Sequence, residues 1–329
     1  MAIHANAITP ELDLEPYRRE LTGYCYRMLG SGFDAEDAVQ ETMVRAWRSA
    51  DRLQERAALK SWLYRIATNV CYDMLQGAQK RARPMDLGPA STADSSLDAG
   101  LPHESWIQPV ADAHVLPENG DPAELAASKE TLRLAFVAAL QHLPPRQRAV
   151  LILREVLRWQ ASEVAALLDT STASVNSALQ RARATMDELE LDTSGPASVD
   201  DGDQQELLTR YVDAFERYDV AKLVTLLKDD VVFNMPPFEL WLQGPDQVGK
   251  WMLGPGIECK DAKLLTTRAN GCPAVAIYKP SEPGVWSPFN LAVLEIAGGE
   301  ITGITNFLYP ELFPEFGLPE RITDSSPAA

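Results

Sequence analysis

Two stretches of the chain combine side-chain types that suit nucleic acid. From Lys60 to Arg83 the sequence carries Lys60, Arg65, Lys80, Arg81 and Arg83 against a single acid, Asp73, with Trp62, Tyr64 and Tyr72 among them. Separating DNA strands requires aromatic surfaces that receive an unstacked base and cations that hold the strand's phosphates. Asn69, one helical turn before Asp73, can offer both a donor and an acceptor to a base edge. From Arg146 to Arg183 six cations stand against three acids. Here Thr172, Ser174, Asn176, Ser177, Gln180 and Arg181 fall on the polar side of one helical pattern, where they can meet base edges, and Arg158 and Arg183 suit phosphates.

Metal and acid–base chemistry find less support. Cys25, Cys71, Cys259 and Cys272 are far apart, with no CxxC or paired Cys/His spacing, so neither a zinc site nor a disulfide framework is expected, and no cofactor is implied. All four histidines (His4, His103, His114, His142) precede the last third of the chain, which rules out a His–Asp dyad within it. Asp213, Asp219, Asp229, Asp230 and Asp246 fall by pattern on helix surfaces or turns. Phe215, Tyr218, Met235, Phe238, Trp241, Trp251, Tyr278, Trp286 and Phe289 are candidates for a ligand cavity as well as for ordinary core.

The elements that position these residues follow from periodicity. Tyr17, Leu21, Tyr24, Cys25, Met28 and Leu29 mark a first helix ended by Gly30-Ser31-Gly32. Asp34 is expected to cap a second helix with the stripe Ala35, Ala38, Val39, Met43, Ala46 and Trp47. A third, about Leu59 to Lys80, buries Leu59, Trp62, Leu63, Ile66, Val70 and Met74. Residues 84–122 lose periodicity, and 86–122 contain seven acids and no lysine or arginine, as in a linker; Trp106 and Ile107 within 101–110 argue that part of it docks on a folded surface. Helices resume over Leu125 to Leu140 and from Arg146 to about Leu157. Two short amphipathic helices follow, joined by Asp169-Thr170-Ser171, in a helix-turn-helix pattern. After an acidic connector (191–203) come helices over Leu207–Tyr218 and Val220–Leu227 and five β-type segments, an α+β pattern. No run approaches 18 apolar residues and the N-terminus lacks a signal-like pattern, so no membrane partner is expected and a reducing cytoplasm is the natural compartment. The net charge of −17 is concentrated outside the two basic windows: residues 191–329 hold 10 basic and 21 acidic side chains.

The stretch DAEDAVQETMVRAW (34–47) followed by LKSWLYRIATNVCYDMLQGAQKR (59–81) resembles conserved region 2 of σ70-family factors of the extracytoplasmic-function (ECF) group, and 147–187 resembles their region 4. The final segment, from YVDAFERYDVAKLVTLLKDDVVFNMPP (211–237) to NFLYPELFPEFGLP (306–319), is similar to SnoaL-like cones, so the whole chain looks like the SigG-like σ factors of actinobacteria. The resemblance implies a multidomain chain: a region 2 helical bundle (1–85), an acidic linker (86–122), a region 4 helix-turn-helix (123–190), a connector (191–203) and an α+β cone with a C-terminal tail (204–329). It implies that Asp37, Gln40 and Glu41 dock on the β′ clamp helices of RNA polymerase, that the region 2 window melts the −10 element, and that region 4 reads the −35 element while resting on the β flap. It further implies a linker that threads polymerase's basic path and a cone that regulates. The family usually has Gly in the region 4 turn and more Lys or Arg early in the recognition helix; Asp169, Asn176 and Ala178 stand here instead, so weak autonomous DNA affinity is expected. A cone that is a working isomerase, cyclase or hydrolase is the alternative. The acidic cone beside two basic windows also suggests contact with the σ domains, in a compact free chain.

Overall fold

The first helix, α1 (Arg18–Leu29), ends where Gly30 adopts φ +74°, a left-handed conformation that glycine enters without a Cβ penalty. Ser31 then caps α2 (Gly32–Arg48), its Oγ accepting from the Asp34 amide. The cap is thus Ser31 and not Asp34, which stands in the first turn, where its carboxylate suits the positive end of the helix dipole. α3 (Leu59–Leu75) stops five residues short of Lys80, because Gln76 is extended and Gly77 has φ +74°. Tyr24, Leu21, Val39, Leu63 and Val70 form the centre of this three-helix core. Trp62, assigned by pattern to the apolar stripe, is only half-buried.

The molecule is a computed structural model that describes residues 13–53, 58–97, 99–119, 121–189 and 201–324; most of the 191–203 connector lies outside them. The chain forms two units. One comprises residues up to 78 together with 143–188, and the other 79–142 with 189 onward. Residues 123–142, grouped by sequence with region 4, belong to the second unit.

In that second unit, α4 (Asp112–Val115) lies within the acidic stretch, and α5 (Pro122–Glu130) and α6 (Leu134–Leu140) come at its end and after it. Asp121 caps α5 and Pro122 opens it, and the single helix expected over Leu125–Leu140 is broken at Thr131–Arg133. The first unit resumes with α7 (Pro145–Leu151), a π-helical turn over Ile152–Val156, α8 (Ala161–Leu167) and α9 (Thr172–Glu188). Asp169 has φ +48° in the turn between α8 and α9. Asp tolerates this conformation better than most non-glycine residues.

The rest of the second unit is a helix-lined curled sheet: α10 (Asp201–Glu216), α11 (Val220–Val224), β1 (Leu227–Asn234), β2 (Trp241–Gln243), α12 (Pro245–Leu253), β3 (Lys263–Ala269), β4 (Cys272–Glu282), β5 (Val285–Ala297), β6 (Glu300–Phe307) and β7 (Ile322–Thr323). The strand order is β2-β1-β6-β5-β4-β3, with β1 parallel to β6, the other pairs antiparallel, and β7 paired to β5. Asp229 and Asp230 therefore lie exposed on a strand and not on a helix or turn. Cys272 to Tyr278 are buried at every position, so both faces of β4 are covered.

The 79–142 segment is a strap bound along this sheet. Trp106, Ile107 and Val110 are buried. Asn270, at φ +56°, donates from its backbone to the Val110 carbonyl (3.1 Å), accepts the Val110 amide on Oδ1 (3.1 Å) and donates from Nδ2 to the Leu132 carbonyl (2.8 Å). Gly271 packs so closely on Lys129 that an added Cβ would lie 2.8 Å from its Cβ. Asp112 accepts from the Gly271 amide (2.7 Å) and from Arg268 Nε (3.3 Å), although burial raises its pKa above the ordinary range.

Candidate nucleic-acid interface

On α3, the face opposite the core presents Arg65, Asn69 and Asp73, all exposed, whereas Lys60, also exposed, stands half a turn away at the first turn of the helix, on the side of buried Tyr64. Lys60 pairs with Glu20 (2.7 Å), and Asp73 accepts from Arg45 (3.0 Å). Three of the proposed −10 residues, Arg65, Asn69 and Asp73, are therefore brought together on one surface, from which Lys60 stands apart. Tyr64 is not among them: its ring is fully buried, 5.2 Å from Tyr24, and burial raises its pKa well above the ordinary value. The helical period puts Tyr64 a quarter-turn from Leu63, on the side that the core covers. Lys80, Arg81 and Arg83 belong to the second unit and do not extend α3. Arg81 is buried and donates to the Trp106 carbonyl at 2.9 Å, which makes it a strap anchor, and Arg83 pairs with Asp86 at 3.0 Å.

The α8–α9 pair has the helix-turn-helix arrangement, with Val164, Leu167, Val175, Leu179 and Ala182 buried between the helices and their support. Thr172, Asn176, Ser177, Gln180 and Arg181 are exposed on α9 and Ser174 is half-buried. Ser171 caps the helix, its Oγ accepting from the Ser174 amide. Arg183 is exposed and paired with Glu155, and Arg158 is exposed at φ +58°.

Asp37 and Gln40 are exposed on α2, and Glu41 is half-exposed and paired with Arg45 (2.7 Å). Trp47, expected in the apolar stripe, is 75% exposed. At about 100° per residue it lies about 20° around the helix from Gln40 and about 100° from buried Ala46, so its angular position was the available signal. An exposed indole on this face extends the Asp37/Gln40 surface.

Within the first unit α3 packs against α8 and the turn that precedes it. The Tyr64 and Trp159 rings are 5.0 Å apart, and Arg65, exposed on the α3 face, donates to the Ala166 carbonyl at 2.5 Å. Arg148 of α7 is 4% exposed; its guanidinium donates to the Met28 carbonyl at the end of α1 and to the Leu143 carbonyl (3.1 Å). Burial lowers its pKa to about 10, still a cation at neutral pH, and a cation at a helix C-terminus is favoured by the dipole. Neither Arg148 nor Trp159 was distinguished by sequence reasoning, because neither lies on a periodic polar face.

Between the sheet and its helices lies a partly open cavity of about 130 Å³. Of the sequence candidates, Phe215, Phe238, Trp251, Met235 and Phe289 line it; four others do not. Tyr218 donates between the Met252 and Gly256 carbonyls, and Trp241 Nε1 donates to Gly88 of the strap. Tyr278 is buried against Phe313 with its hydroxyl on Pro319, and Trp286 lies near the surface under Lys263. Side-chain size made all of them candidates, whereas the face each takes on its helix, strand or turn decided which point inward.

Residues 14–81 match the family model for Sigma-70 region 2, and residues 133–186 that for Sigma-70 region 4. A three-helix bundle followed by a helix-turn-helix, with these matches, defines the class as σ70 factors. Over 311 residues the chain is 43% identical to the ECF RNA polymerase sigma factor SigG of Mycobacterium tuberculosis, covering 94% of this chain and 83% of that one. It is 30% identical over 171 residues to the ECF RNA polymerase sigma-E factor of Escherichia coli, covering 52% of this chain and 81% of that one. The crystal structure of the Mycobacterium tuberculosis ECF factor SigJ shares its fold, with TM-score 0.59 at 23% identity, covering 93% of this chain and 99% of that one. The chain belongs to the ECF σ factors. It is a factor that initiates transcription, and its α+β cone follows the two σ regions.

Proposed function

We propose that the chain binds core polymerase through the α2 face of Asp37, Gln40, Glu41 and Trp47, opens the −10 element with the α3 face, and reads the −35 element with α9, while the cone regulates these steps. The β′ clamp helices and the β flap are the polymerase surfaces assigned by family resemblance. The observation that carries the regulatory part is the packing of α3 against the region 4 helices through Tyr64–Trp159 and Arg65–Ala166. The α3 face cannot receive a strand backbone while Arg65 is engaged there. The acidic segment that joins the two σ regions is held on the cone by Asn270 and Asp112, and so is not paid out as a free tether. Release of the strap and separation of the σ regions are then both required for promoter engagement.

The cone acts by binding and not by catalysis in this reading. Tyr211 and Cys259 at the cavity are both pushed up by burial, away from the neutral range that suits a general base. Among the described residues no helix is long and apolar enough to cross a membrane, and the reading places the protein in the cytoplasm. Run-off transcription with core polymerase and a cognate promoter tests the proposal: specific transcripts that depend on the chain support it, and core binding without specific initiation would refute it.

A further inference from the structure

The basic window from Lys60 to Arg83 contains one acid, and the fold places it on the α3 face assigned to the −10 element. Asp73 stands one turn beyond Asn69, about 6 Å along the helix and about 40° around it. A carboxylate on such a face repels phosphates. Its presence there calls for a task that a neutral side chain does not perform.

Arg45 of α2 holds this carboxylate. Its Nε donates to Glu41 Oε1 (2.7 Å) and its Nη1 to Asp73 Oδ2 (3.0 Å). The side chains of Glu41, Arg45 and Asp73 are 45, 40 and 56% exposed, and ion pairs so open to water add little to stability. What the arrangement does is fix geometry. Glu41 steadies the planar guanidinium along one edge while Nη1 grips one oxygen of Asp73, an orientation that a lysine ammonium, as a point charge, does not impose. Both acids push the Arg45 pKa further above its ordinary value, Glu41 first, so the cation persists at any working pH. Among the described residues no group donates to the other oxygen, Asp73 Oδ1.

An ionised carboxylate oxygen only accepts. Adenine, cytosine and guanine each carry an exocyclic amine that can donate to it. Thymine has none, and its one ring N–H lies between two carbonyl oxygens that an anion repels. We infer that Asp73 selects a base with an exocyclic amine in the −10 element and rejects thymine, and that Arg45 is the positioning residue that keeps the reading oxygen in place. This rests on the assignment of the α3 face to the −10 element.

The test uses holoenzyme assembled from core polymerase and the full chain, with non-template-strand oligonucleotides whose −10 sequence the wild-type holoenzyme has selected from a randomised pool. Each amine is removed in turn, with purine for adenine, inosine for guanine and 2-pyrimidinone for cytosine. At one position loss of the amine, or replacement by thymine, weakens wild-type binding about fivefold to a hundredfold, as for a base-reading contact. Asp73→Ala removes the sensitivity at that position and at no other. Arg45→Ala reduces it and Arg45→Lys restores part of it, whereas a merely structural Arg45 would weaken binding of every oligonucleotide by the same factor. A wild-type scan without an amine-sensitive position, or a sensitivity that survives unchanged in Asp73→Ala, overturns the reading by Asp73, and the wild-type scan stands even where a variant fails to fold. A sensitivity unchanged in Arg45→Ala overturns the positioning role. Failure of the wild-type holoenzyme to select any −10 sequence would overturn the assignment of the α3 face itself, and this inference with it.

Discussion

Trp159→Ala is the perturbation that isolates the packing between the two σ regions. The Trp159 ring lies 5.0 Å from Tyr64 of α3 at an interplanar angle of 57°, and Trp159 belongs to none of the faces assigned to DNA or polymerase. Truncation removes an aromatic pair worth about 0.5–1.5 kcal/mol beyond burial, and the burial of a half-covered indole adds about 1 kcal/mol. A total of about 2 kcal/mol changes the equilibrium between packed and separated regions about 30-fold. With about 1% of the free chain separated, the variant brings this to about 23%, and the apparent affinity for core polymerase rises about 20-fold. Titration of core with labelled chain, and run-off transcription at limiting chain, read this directly. Unchanged or weaker core binding by a variant with wild-type circular dichroism would refute the reasoning.

Three further outcomes follow from the same faces. Asn69→Ala abolishes run-off transcription while core affinity stays within about 1 kcal/mol, since the side chain is exposed and faces away from the helical core; wild-type transcription would remove the α3 face from the account. Gln180→Ala and Arg181→Ala each lower −35-dependent initiation by about 1–3 kcal/mol, and an equal loss on every −35 sequence would assign that residue to phosphate. Trp47→Ala weakens core binding by about 2 kcal/mol, as for a tryptophan anchor at an interface, without lowering the melting temperature; a lowered melting temperature with unchanged affinity would return Trp47 to the core.

The helices were legible where one stripe had one core to cover. Leu63, Val70, Val164 and Leu179 fall where the 3.6-residue period puts them, and the five long strands lie within a few residues of their sequence patterns. The short β2 and β7 have too few residues for a period. The partition into units was not legible. The strap has no periodicity, and its placement depends on Asn270, Asp112 and Arg81, polar residues whose buried partners are backbone groups far away in sequence. Aromatic type misled at Tyr64, Trp47, Tyr278 and Trp286, because a ring suits core, cavity and interface alike. For Trp47 and Tyr64 the helical angle, and not the residue type, distinguishes the two environments.

The central claim is that α3, which carries the face assigned to the −10 element, and α8 of the helix-turn-helix assigned to the −35 element are packed together in the free chain and part on polymerase. Spin labels on exposed Ser61 of α3 and Ser162 of α8, after Cys259→Ser, measure that separation by pulsed electron–electron resonance. The free chain should give one short distance, as contact between α3 and α8 requires. Promoter elements about 25 base pairs apart lie about 85 Å from each other along the duplex, so the distance in the promoter complex should lengthen by tens of ångströms. A free chain that already shows the long distance, or a complex that keeps the short one, would contradict the account.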